Sequence, residues 1–129
     1  MSEFVALLHS KPNFRAIIGA SNEQINEAEN ALELQFSDEY HEYLAAFGVA
    51  SVYGHEFTGI CAFPRLNVVN VTSEARALEG NIPADWYVIE QAHIDGIVIW
   101  QSSAGEVYQT MPNALPTKLC DSLYEYLEL

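Results

Sequence analysis

The sequence predicts an α+β domain with N-terminal helices, a central antiparallel β-sheet in meander order and a C-terminal helix. Three observations carry this prediction. Two capped segments with helical apolar spacing open the chain at Ser21 and Ser37. Beyond Gly54 the apolar period shortens to that of strands, with Asp95-Gly96 as the clearest hairpin signal, and after Pro116 helical spacing returns. Helices first, strands next and a helix last are the pattern of the α+β class.

Ser21 and Gln24 form a capping box, and Glu23 lies in the favourable first turn. Ile25, Ala28 and Leu32 then make one apolar stripe. Ser37 caps a second helix that begins with Asp38 and Glu39 and carries Tyr40, Tyr43, Leu44 and Phe47 on one face. Gly48 is read as the left-handed residue that ends it. Segments 57–63 and 66–71 read as strands broken by Pro64, with Thr72 or Ser73 capping a short helix that ends near Gly80. Residues 86–90 read as a strand, paired through Asp95-Gly96 with 97–100; a looser turn at 102–105 leads to Val107 and Tyr108. Leu119, Leu123, Tyr126 and Leu127 form the inner face of the closing helix. Trp86 and Trp100 read as core.

The 129 residues are 50% hydrophobic and 12% aromatic, with a mean hydropathy of +0.02. That composition excludes disorder and suffices for one core without disulfide or metal, so residues 1–129 are read as one unit. Against 18 acids stand 5 bases, a formal charge of -13. Binding to nucleic acid or to an anionic membrane needs clustered Lys and Arg, so neither is an expected partner. Residues 1–11 lack a basic segment followed by a long apolar run, and a cytoplasmic location is expected. Cys61 and Cys120 read as buried free thiols in preference to one long-range disulfide.

No constellation of catalytic residues stands out. His9, His41, His55 and His93 are scattered without metal-ligand spacing, and there is neither a phosphate loop nor a nucleophile elbow. His55-Glu56 and His93 with Asp95 place imidazole near carboxylate, the basis of a remote small-hydrolase reading. Cys61 is read in an apolar strand, and Cys120 in a helix near Lys118, a cation that would lower its pKa. The expectation is a chain without enzymatic activity, cofactor or metal.

Charge segregation is the stronger signal. Between Arg15 and Arg65 there is no Lys or Arg, while Glu23, Glu27, Glu29, Glu33, Asp38, Glu39, Glu42 and Glu56 all fall inside. Glu23 and Glu27 lie opposite the first apolar stripe, and Asp38 and Glu42 opposite the second. Like-charged pairs at i, i+4 cost roughly 0.2–0.5 kcal/mol each, a cost that a basic partner would relieve; the same faces also serve solubility. Glu29 sits at the stripe's edge, where a carboxylate accepts from backbone donors or pairs with Arg76. Tyr53, Gly54 and His55 mix aromatic and polar character in a connection, as binding loops do. The candidate partner-binding residues are Glu27, Asp38, Glu39, Glu42, Tyr53 and Glu56.

Ser21, Ile25, Ala28-Glu29, Leu32, Phe36, Tyr40, Tyr43-Leu44 and Phe47-Gly48 resemble the opening signature of the SMI1/KNR4, or SUKH, superfamily. The resemblance continues through Glu56-Phe57, Gly59-Ile60, Asn67-Val68-Val69, Thr72, Arg76, Ile82-Pro83, Asp95-Gly96, Gly105, Val107-Tyr108, Asp121-Ser122-Leu123 and Tyr126-Leu127. Phe36-Ser37 departs from it, since many relatives have Leu-Pro there. The resemblance implies a compact α+β fold and a non-enzymatic role. Its bacterial members are similar to immunity proteins that neutralise a cognate toxin domain, often a nuclease; its yeast namesake regulates cell-wall synthesis. The expectation is an antitoxin that occludes a basic toxin domain, itself a monomer or weak homodimer. The alternative is a regulatory interaction or scaffold domain without a toxin.

Overall fold

The computed structural model describes residues 3–129. Met1 and Ser2, the start of the segment read as lacking a leader, lie outside the described residues. The chain runs α1 (Glu3–Ser10), β1 (Arg15–Ile18), α2 (Asn22–Leu32), α3 (Asp38–Ala46), β2 (Phe47–Val52) and β3 (His55–Glu56). A 3-10 turn (Pro64–Leu66) and α4 (Val68–Glu79) follow, then β4 (Tyr87–Gln91), β5 (Val98–Gln101), β6 (Val107–Thr110), β7 (Thr117–Cys120) and α5 (Leu123–Glu128). The architecture is the expected α+β one. Strands β1 to β3 form one antiparallel sheet in sequence order and β4 to β7 another; a bridge from Phe57 to Glu90 joins them.

Local chemistry explains α2 and α3. Both halves of the Ser21/Gln24 capping box are present, and Ser37 accepts from the amide of Tyr40. Helix α2 buries Ile25, Ala28 and Leu32; α3 buries Tyr40, Tyr43 and Leu44. The α3 tyrosines also tie down the strand connection. Thr58 donates its hydroxyl proton to the Val88 carbonyl, so it accepts from Tyr40, while Tyr43 donates to the Thr58 carbonyl and accepts from the Ala50 amide.

Several expectations need correction. Gly48 does not end α3 in the left-handed region; it lies in β2, where an added Cβ would meet the Ile18 and Ile60 carbonyl oxygens at 2.7 and 2.9 Å. Close backbone approach, not a helix cap, requires that glycine. Segments 57–63 and 66–71 are not strands. Asn67 accepts from the amides of Val69 and Asn70 and starts α4 upstream of Thr72, so the β-branched run becomes a helix burying Val68, Val71 and Ala75. Thr72 is buried and accepts from the Val88 amide, pinning α4 to β4. Gly80 ends α4, as expected.

The predicted meander is present with one more strand. Asp95 and Gly96 both have positive φ, 54° and 69°, and Ile97 donates back to Ile94, the geometry of a type I' turn. Leu119 and Cys120, read as helical, belong to β7, and Ser122 caps an α5 that starts only at Leu123. Helix α1 and strands β1 and β2 were not anticipated. Every residue of β1 is exposed, Ile18 at 90%, and among the described residues β2 is its sole strand neighbour.

The four-stranded sheet has a core on each face. Val71 and Ala75 of α4 pack with Trp86, Val88 and Trp100, while α1, α2, α3 and α5 cover Tyr87, Ile89, Ile99 and Val107. Both tryptophans are core, as read. Gln101 on the second face is wholly buried and fully bonded: Ser37 and Tyr87 donate to its oxygen, and its nitrogen donates to Glu39 and the Gly105 carbonyl.

Candidate functional site

Two features of the sequence converge where β3, β4 and α5 meet. The β4–β5 register shifts between Val88 and Glu90, so Glu90 opposes Ile99 and faces the helices rather than continuing the alternation. A bulge re-aims a side chain in this way. Glu90 is 6% exposed. One carboxylate oxygen accepts from Tyr126 at 2.5 Å and lies 3.0 Å from His55 Nδ1; the other accepts from the Glu56 amide at 2.9 Å. The hydrogen bond and charge of Glu90 raise the His55 pKa above its ordinary value against the opposing effects of burial and Lys11. Burial, then Glu90, pushes the Tyr126 phenol up.

His55 borders a hollow of about 260 Å³ with Lys11, Asn13 and Tyr53. A carboxylate on one imidazole nitrogen is half of an acid–base device. Among the described residues no Ser, Thr or Cys lines this hollow. Of the residues of the hydrolase reading, His55 contacts Glu90, Glu56 pairs with Arg65 at 2.7 Å, and His93 lines a different groove. Among the described residues no group of three or more His, Cys, Asp or Glu is placed to hold a metal ion.

Both cysteines are free thiols. Cys61 is partly exposed in a loop, not buried in a strand, because the chain turns to start the 3-10 segment. Burial pushes the Cys120 thiol up, and Lys118 is engaged with Glu106 and Asp121 at 2.9 and 2.6 Å. The activating cation expected from sequence is therefore already paired.

The acids divide sharply by partner. Glu29 accepts from the Phe36 amide at 2.8 Å, the structural role read for it. Glu39 is half-buried and accepts from the amides of Leu123 and Tyr124, so its carboxylate sits at the N-terminus of α5. Glu56 joins Arg65, which holds its carboxyl below the ordinary range. By contrast, Glu23, Glu27, Glu33, Asp38 and Glu42 are exposed, and among the described residues their side chains have no hydrogen-bond or ion-pair partner. Of the six candidates, Glu27, Asp38 and Glu42 are thus free acids on α2 and α3. Tyr53 is 79% exposed in the two-residue turn between β2 and β3, a hairpin rather than a helix-to-strand connection.

Sequence reasoning missed Glu90 and a larger groove. The signal for Glu90 was a lone acid closing the apolar run from Trp86. The groove, about 660 Å³, lies between α4, the β4–β5 turn and the Pro112-Asn113 turn. Ala75, Ile97 and Val98 give it an apolar lining, Glu74 and Glu79 stand along it, and Leu78 is 86% exposed at its side.

No helix among the described residues is long and apolar enough to cross a membrane. Comparison with curated proteins finds no match. The family described as SUKH_5, SMI1-KNR4 cell-wall, matches residues 1–128. With capped α2 and α3, the antiparallel sheets and the closing helix in the order that the sequence signature implied, the chain belongs to the SMI1-KNR4 (SUKH) family.

Proposed function

We propose that this chain is an immunity protein that binds one cognate toxin domain and blocks it by occupying its active cleft. The observation that carries this reading is the row of exposed acids on α2 and α3 that the fold itself leaves without partners. Glu23 with Glu27, and Asp38 with Glu42, repel across one helical turn, and a basic partner would turn that cost into attraction. A nuclease cleft is basic because it holds phosphate, and an acidic helical face competes for it as the nucleic acid does. Such complementarity raises association rates by roughly 10 to 10³-fold at low salt. Glu27, Asp38 and Glu42 would make the direct contacts, with Tyr53 as an aromatic anchor and Glu56 beside it on Arg65. Glu39 serves the site indirectly by holding α5. The protein would act in the cytoplasm, as a monomer or weak homodimer, without turnover.

The test is co-expression with the toxin domain encoded beside its gene, followed by binding measured from low to high salt. Cell protection with 1:1 binding, weakened at least about tenfold by Glu27→Gln, Asp38→Asn and Glu42→Gln together, supports the reading. Neither protection nor a complex would sink it, leaving the regulatory scaffold role. A complex indifferent to salt and to these three changes keeps immunity and discards the acidic-face mechanism.

A further inference from the structure

We propose that the groove between α4 and the β4–β5 turn is a second docking site, one that takes a basic, amphipathic segment of a partner protein. The segment would lay an apolar side chain against Ala75, Ile97 and Val98 and set a Lys or Arg beside Glu74 and Glu79. Helical spacing produces the arrangement: Ala75 and Leu78, at i and i+3, share a face, and the two glutamates flank it. Neither carboxylate has a partner among the described residues. The base nearest in sequence, Arg76, donates to the carbonyls of Leu32 and Ala84. Its charge is held against those carbonyls rather than over the groove. No Lys or Arg is among the described residues that line the groove, so Glu74 and Glu79, with His93 also in the lining, favour a positive, partly apolar occupant by charge complementarity.

The groove is also preformed. Asp95 and Gly96 fix its far wall through the type I' turn, and Gly96 packs so closely on Pro112 that an added Cβ would sit 2.8 Å from the proline ring. Beneath α4, Trp86 stacks on Tyr108 with ring centroids 4.1 Å apart. A rigid wall lowers the ordering cost of binding. Leu78, exposed without a packing role, is placed to close over a bound side chain. None of the residues that line the groove belongs to α2 or α3, so it is a different surface from the acidic face of those helices.

The probe is a short synthetic peptide alternating Lys and Leu, titrated into the whole chain and followed by backbone amide NMR. A peptide of equal charge alternating Lys and Ser is the control. Saturable shifts centred on Ala75, Leu78, Gly96 and Ile97 are expected, with the Lys/Ser peptide at least about tenfold weaker. Glu74→Gln with Glu79→Gln, and separately Leu78→Ser, should each weaken the Lys/Leu peptide several-fold; Leu78 is exposed, so its change leaves the fold intact. Equal affinity for the two peptides, shifts centred on residues 23–42, or no saturable binding would each overturn the proposal.

Discussion

Glu39 on α3 accepts the Leu123 amide at 2.6 Å and the Tyr124 amide at 3.0 Å, so a side chain of one helix caps another 84 positions later. The carboxylate meets the orphan donors and the positive end of α5 together. Glu39→Ala should lower stability by about 1–3 kcal/mol in urea denaturation. Amide exchange at Tyr126 and Leu127 should rise more than at Tyr43. An unchanged midpoint would show that Ser122 alone suffices to start α5.

The His55–Glu90 contact makes stability depend on pH. Because the folded state raises the His55 pKa, its contribution is fully present below the unfolded value of about 6.5 and is lost as pH rises through the folded value. Wild type should therefore lose stability across that window relative to His55→Gln. Parallel denaturation-against-pH curves for the two proteins would refute the coupling, and the imidazole NMR titration gives the midpoint directly.

Gln101 and Ser102 are adjacent, both buried, and should respond oppositely. Gln101→Leu leaves Ser37, Tyr87, Glu39 and the Gly105 carbonyl each short of a partner, and each orphaned buried group costs roughly 1–3 kcal/mol. The Ser102 hydroxyl is buried with no partner, so Ser102→Ala should be neutral or stabilising by about 1 kcal/mol. Thermal midpoints of the two variants decide it.

Gly59 and Gly54 separate contact from conformation. A Cβ on Gly59 would fall 1.7 Å from the Gly48 carbonyl oxygen, a backbone atom that cannot step aside. Gly59→Ala should cost several times as much as Gly54→Ala. At Gly54 the space is open, and φ of +84° costs about 1–2 kcal/mol. Equal losses would mean that β2 and the 57–60 segment can separate without penalty.

Legibility followed the range of the interaction that decides each element. Ser21, Gln24 and Ser37 act on amides three residues away, and Asp95-Gly96 on its own turn, so α2, α3 and the hairpin could be read directly. Helix α4 could not: Val68, Val69 and Val71 favour strand locally, and the Asn67 cap together with burial against Val88 overrides them. The acids show the same limit within the candidate site. Glu39 and Glu42 look alike in the sequence, and what distinguishes them is Leu123, brought near only by the fold. Glu90 depends likewise on a register shift that no local pattern encodes.

Strand β1 exposes Ile17 and Ile18 on a backbone whose outer side has, among the described residues, no strand beside it. Such an edge invites pairing between copies of the same chain. Mutual repulsion between molecules of charge -13 opposes that approach at neutral pH and fades near the isoelectric point of about 4.4. Light scattering should rise there, and Ile18→Lys should suppress it. The acidity of the chain thus acts as a colloidal guard over an unfinished sheet edge.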